Sequence, residues 1–281
     1  MISKRYHTIH HQLSLSILLL LACCAQTAAA QCGEGIQSFA PGEEIHYQIA
    51  YNWNFVWVKA GEVTFTIKED TYEGKPAWHM TGEGKSYKFY DFIYKVRDRY
   101  EVWTDTSLRP LHFIRDTREG KQEVYNEYTF DQRKQRVYAS LSNSESTEHK
   151  DTLDWPACTY DVLSLTYHAR NLDFSTLSEQ DTLPIAAIID GKVYDSLYVR
   201  YMGRENIKNR DGKEYRCIKF VPLLVEGTIF SGGEDMTVWV TDDNNRIPVM
   251  VEAKILVGSV KAYLDSYSGL RYPLDALIEE E

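Results

Sequence analysis

Five histidines follow residue 30: His46, His79, His112, His149 and His168. No two stand in the H-x-x-x-H spacing that turns paired imidazoles toward one zinc ion from a helix, and none pairs with a cysteine at zinc-ligand spacing. There is no G-x-S-x-G elbow, no S-x-x-K set, no P-loop and no dinucleotide fingerprint. The residues therefore assign no catalytic group, no metal site and no cofactor. Asp98 is the carboxylate most worth following. In Tyr94, Val96, Asp98, Tyr100 and Val102 it occupies an otherwise apolar parity, opposite Lys95, Arg97, Arg99 and Glu101. A carboxylate on such a face needs a cation or hydrogen-bond donor, or its pKa rises. It reads either as a general acid or ligand anchor, or as the partner of an arginine such as Arg170 or Arg246. Asp242-Asp243-Asn244-Asn245 is rich in oxygen, but four adjacent residues cannot converge on one calcium ion, and the run reads as a turn.

A second constellation is aromatic. Tyr51, Trp53, Phe55 and Trp57 alternate, so one regular strand would place all four on one face. On an exposed sheet such a strip binds sugar rings or an acyl chain; inside a curved sheet it is core. Trp53, Phe55, Trp57 and Asp98 are accordingly the candidate ligand-binding residues. Cys158 and Cys217 lie in segments expected to be ordered and are the candidate disulfide, with Cys32 left over near the terminus.

The elements that must hold these residues are strands. Ile247, Val249, Val251, Ala253, Ile255 and Val257 share one parity and Arg246, Glu252 and Lys254 the other, the mark of a half-buried antiparallel strand. With the turn at Asp242–Asn245, the break at Gly258 and the renewed alternation of Val260, Ala262 and Leu264, the stretch Met236–Leu264 predicts a three-stranded meander. Similar alternation recurs at Ile45–Tyr51, Val63–Ile67, Tyr94–Val102 and Val193–Tyr201, punctuated by Glu73-Gly74, Asp190-Gly191 and Asp211-Gly212 turns. The polar tract Ser142–Asp151 has no period and reads as a loop. One helix is expected, capped by Thr159, with Asp161 in its first turn, ending near Asn171.

The first 30 residues read as a signal peptide: Lys4 and Arg5, an apolar run from Leu13 to Ala22, and an Ala28-Ala29-Ala30 cleavage site. Leu20-Leu21-Ala22-Cys23 also resembles a lipobox, which would anchor the chain through Cys23. Cleavage after Ala30 takes the net charge from −10 to −12, a surface that repels nucleic acid and anionic membrane. Residues 31–281 hold no apolar segment long enough to span a bilayer and are expected to form a single antiparallel domain.

Several segments together resemble an exported bacterial family catalogued as domain of unknown function 3108. They are Pro41-Gly42-Glu43 through Tyr47, Trp57 through Glu62, Asp98-Arg99-Tyr100-Glu101, Cys158 through Ser164 with Ala169-Arg170-Asn171, and Val238 through Asp243 with Arg246-Ile247-Pro248-Val249. The resemblance implies a Gram-negative envelope location and an all-β fold, and it carries no catalytic residues. The expectation is an all-β protein with one short helix, its strongly curved antiparallel sheets forming a half-barrel or open barrel. Its expected role is non-catalytic: binding a lipid or glycan ligand, or an envelope protein partner, on the concave surface, in the periplasm or on the periplasmic face of the outer membrane. Two other roles stay open, scaffolding through an exposed sheet edge and hydrolysis of envelope polymers.

Overall fold

The computed structural model describes residues 38–53, 56–226, 232–255 and 258–279. The signal segment, Cys23, Cys32 and Phe55 therefore lie outside the described residues. Among the described residues sixteen strands form one open sheet. The first eight are β1 (Glu44–Trp53), β2 (Val56–Tyr72), β3 (Lys75–Ser86), β4 (Val96–Thr104), β5 (Pro110–Glu119), β6 (Gln122–Asp131), β7 (Arg136–Asn143) and β8 (Ser146–Asp154), each beside its predecessor. The short β9 (Thr159–Asp161) and the helix α1 (Val162–Ala169) follow. Then come β10 (Thr182–Ile189), β11 (Lys192–Lys208), β12 (Glu214–Pro222), β13 (Met236–Thr241), β14 (Pro248–Lys254), β15 (Ser259–Ser268) and β16 (Leu277–Ile278). The two meanders join where β1 pairs antiparallel with β15, so β8 and β9 are left as edges. Only β9 and β10 run parallel among the pairings of the described residues.

Local chemistry sets the turns. Glu73-Gly74 and Asp190-Gly191 close two-residue hairpins with both φ angles positive, the geometry that the right-handed twist of the flanking strands requires. The Met236–Leu264 stretch forms β13, β14 and the start of β15, and the predicted parity is the buried one: Val249 and Ala253 are enclosed, with Ile247 just before β14.

The sheet curls around three apolar clusters, and α1 lies against the inner side of β3 and β4. Leu163 and Tyr167 from α1 join Phe39, Met80, Val102, Phe113 and Trp155 there. Gly82 makes room for this packing, since a Cβ at that position would stand 3.1 Å from the Phe65 ring and 3.5 Å from Leu163. The helix is shorter than its spacing predicts. The Asp161 carboxylate accepts the N–H groups of Leu163 and Ser164, both at 2.9 Å, and is itself the N-cap. Thr159 is thereby released to β9. The Ser142–Asp151 tract is not a loop but the end of β7, a turn and most of the edge strand β8. Almost every β8 residue is exposed, so nothing forces its polarity to alternate.

Candidate functional site

The aromatic strip does not exist as one strand. The chain reverses between Trp53 and Val56, and the register pairs Trp53 with Val56 but Asn52 with Trp57. Trp57 is therefore one position out of phase with the Trp53–Val56 pair. A bulge follows where Ile49 and Ala50 face Gly61 and Lys59. Trp57 lies half-buried with the Lys261 ammonium 4.8 Å from its ring centre.

Asp98 does occupy the inner parity of β4, between Gly84 and Thr117, but neither expected arginine reaches it. Arg170 is committed to Glu43, and Arg246 to the Leu172 carbonyl. Asp98 accepts the Arg118 N–H at 3.1 Å. Burial first, and then the neighbouring Glu119 carboxylate, push its pKa up to about 7, against smaller opposing pulls from the Arg118 N–H and then from Arg115. Arg115 bonds instead to Asp190 at 2.8 Å, and Asn126 donates to the same oxygen at 2.9 Å. The tip of the β10–β11 hairpin is thus pinned across β5 and β6, where the Gly191 N–H also donates to the Tyr128 hydroxyl. The expected disulfide is also overturned. Cys158 is disulfide-bonded, while Cys217 is a free thiol enclosed between β11 and β13, so the two are not bonded to each other.

Two of the segments that carry the family resemblance meet in one buried ion pair. Arg170, the residue after α1, donates to both Glu43 oxygens at 2.6 and 2.9 Å. Its remaining donors reach the carbonyls of Asn245 and Ser38, and its guanidinium lies over the Phe39 ring. With all three of its nitrogens directed at protein acceptors, this group ties the N-terminal strand, the helix and the β13–β14 turn together. It presents no reactive atom to a ligand.

The constellation that does face outward runs across the opposite side of the sheet. Register places His79, Trp103, His112, Thr129, Tyr138 and Thr152 opposite one another on β3 to β8. His79 and Trp103 stack with ring centres 4.1 Å apart, and Tyr72 stacks on His112 at 5.7 Å. Carboxylates hold the row in place. The Trp103 indole donates to Asp70 at 2.8 Å, His79 meets Glu101 at 3.0 Å, and His112 lies 3.4 Å from Glu127. The indole bond, and then the Thr71 N–H, keep the Asp70 carboxyl below its ordinary range. Arg99 does so for Glu101. Burial lowers the pKa of His112. Where the row reaches β6, β7 and β8 the surface hollows into an open groove of about 600 Å³, with Glu127, Thr129, Tyr138, Ser140, Glu148 and Lys150 among its walls. A smaller charged hollow of about 270 Å³ over β2 to β5 is closed on itself by ion pairs, Glu62 with Lys85 and Glu83 with Arg99. Among the described residues no cluster of three or more His, Cys, Asp or Glu side chains is placed to hold a metal ion.

Sequence reasoning passed over this row, although its signal was present. Trp103 shares the parity of Arg97, Arg99 and Glu101, and His79 and Tyr138 likewise stand at outward positions. A large aromatic on the solvent parity of a strand is the observation that separates a surface platform from core.

The fold and this surface define a class: an open, barrel-like antiparallel β protein with a polar and aromatic outer face. Residues 46–265 match the family described as "Protein of unknown function (DUF3108)", and the chain belongs to that family. No curated protein matches the chain. Among solved structures, the chain is similar to a beta-barrel-like protein of the DUF1849 domain from Brucella abortus, with a TM-score of 0.52 and 8% identity over 82% of this chain and 98% of that one. A hypothetical protein, CT021, from Chlamydia trachomatis aligns at a TM-score of 0.34 and 7% identity over 88% of this chain and 97% of that one. The Brucella likeness concerns fold alone.

Proposed function

We propose that this is an exported, non-catalytic envelope protein that binds a glycan, and that the ligand lies on the outer face of β3 to β8 and not on the concave side. The observation that carries the reading is the aromatic and imidazole row running into the 600 Å³ groove. Flat rings bind the apolar faces of sugars, while fixed carboxylates and hydroxyls bind the ring hydroxyls. Glu127, Ser140, Glu148 and Thr152 supply the second kind of contact beside Tyr138. The hydrogen bonds from Trp103 to Asp70 and from His79 to Glu101 preorganise the rings, so little side-chain freedom is lost on binding. The concave side suits a guest less well, because α1, Phe39 and Trp155 pack into it. The exported character rests on the N-terminal segment, Lys4 to Ala30.

Titration calorimetry with soluble peptidoglycan fragments and lipid-free envelope oligosaccharides tests the proposal. Binding should weaken at least about tenfold in Tyr138→Ala, whose ring is 41% exposed and whose loss should leave the melting temperature nearly unchanged. Absence of binding to every glycan, or affinity indifferent to Tyr138→Ala and Trp103→Ala, would overturn it. The exposed nine-residue edge β8 favours a second reading, strand addition by a protein partner, although Glu148, Lys150 and Asp151 on that edge work against pairing.

A further inference from the structure

Between β3 and β4 the chain runs Tyr87-Lys88-Phe89-Tyr90-Asp91-Phe92-Ile93-Tyr94-Lys95. Phe89 is 73% and Phe92 78% exposed, and Ile93 and Tyr94 are about half exposed. Single apolar residues at a surface need no explanation, but four within six positions form a patch. This patch is built, not frayed. Backbone bonds run from the Tyr90 N–H to Tyr87, from Ile93 to Tyr90 and from Tyr94 to Tyr90, at 2.8 to 3.0 Å. Asp91 is clamped from beneath by Arg97 at 2.6 Å and by the Ser86 hydroxyl at 2.6 Å. The β5–β6 turn supports Tyr94, because the Gly120 N–H donates to the Lys95 carbonyl at 2.8 Å and the Tyr94 ring lies close against Gly120, 2.8 Å from where a Cβ would stand. Phe89 and Phe92 therefore project from a fixed turn, their rings edge to face with centres 6.2 Å apart.

With Lys88 and Lys95 against Asp91, the segment's own charge balance runs against that of the whole chain. The chain carries a net charge of −10, yet Lys88 and Lys95 flank the exposed rings and Lys121 follows Gly120 in the adjoining β5–β6 turn; the carboxylates of Glu119 and Asp98 lie near Tyr94, at the other end of the segment from Phe89. Asp91, the single acid of the segment, is consumed by Arg97. Aromatic rings ringed by lysine ammonium groups match the interfacial zone of a bilayer with anionic headgroups. A protruding turn of four apolar side chains is also far smaller than the roughly 800 Å² per partner that a stable protein interface buries.

We propose that the segment 87–95 docks this protein onto an anionic phospholipid surface, with Phe89 and Phe92 entering the headgroup region and Lys88, Lys95 and Lys121 facing the phosphates. This docking is independent of glycan binding, because the groove and the knob lie on different parts of the sheet. The processed chain, recovered from the exporting cell, is mixed with vesicles of phosphatidylethanolamine and phosphatidylglycerol and, in parallel, with phosphatidylcholine vesicles. It should sediment with the anionic vesicles and much less with the neutral ones, and salt should weaken the association. The double variant Phe89→Ser, Phe92→Ser should reduce partition at least about tenfold. Lys88→Glu with Lys95→Glu should reduce it on anionic vesicles alone. Because these side chains are solvent-exposed, unchanged thermal melts will verify that the variants fold. Failure to sediment with anionic vesicles would overturn the proposal, as would partition that survives both double variants. Loss of self-association in the phenylalanine variant, without any vesicle binding by the parent, would overturn it in favour of a second copy of the chain.

Discussion

Replacing Asp98 by asparagine should change how stability depends on pH more than it changes stability itself. The folded-state pKa, about 7, lies above the ordinary value of 3.8, so the folded chain holds this proton more tightly than the unfolded chain. The associated stability is fully present below the unfolded value and is lost as pH rises through about 7. A displacement of that size corresponds to about 4 kcal/mol if nothing screened it. Asp98 is only partly buried, and solvent screening reduces the expected loss to about 1–2 kcal/mol. The neutral amide in Asp98→Asn would mimic the protonated carboxyl at every pH. Urea unfolding at about pH 5 and about pH 8 should therefore show the parent losing roughly half a molar of midpoint more than Asp98→Asn. Glu119→Gln should remove part of the same slope, since Glu119 is the second cause of the shift. Identical pH profiles for parent and Asp98→Asn would refute the reasoning and mean that the carboxyl is solvated. A strong destabilisation by Asp98→Asn at acidic pH would instead reveal a buried cation that depends on it.

Glu43→Gln should cost about 3–5 kcal/mol in urea unfolding, because it leaves the Arg170 guanidinium buried without its counter-charge. An unchanged midpoint would mean that the hub is water-filled. Asp161→Ala should cost about 1–2 kcal/mol, since the N–H groups of Leu163 and Ser164 lose their acceptor; a thermal melt equal to the parent's would contradict the cap. Under non-reducing conditions, intact-mass analysis after alkylation should find Cys217 unlabelled in the native protein and labelled once denatured, with Cys158 unlabelled in both. Burial both hides the Cys217 thiol and pushes its pKa up to about 12, so rapid labelling of Cys217 in the native protein would contradict its enclosure.

What the sequence determined is whatever depends on neighbours along the chain. The alternation of Ile247, Val249 and Ala253 marks the buried parity, and Glu73-Gly74 and Asp190-Gly191 mark hairpins, because a pleat repeats every two residues and positive φ angles select particular residues. Where local cues divided, the reading failed. Tyr51–Trp57 alternates perfectly yet contains a chain reversal, and β8 shows no alternation yet is a strand. The acceptor of Arg170 was legible only as a need: burial demands a counter-charge, but Glu43 lies 127 positions away along the chain. The pairing of β1 with β15, the free thiol of Cys217 and the engagement of Arg170 and Arg246 away from Asp98 are of that second kind. Each depends on which distant segments the folded sheet brings side by side. Parity divides a strand into two faces, but which strands meet edge to edge and which buried groups face one another is settled by contacts between residues far apart in sequence.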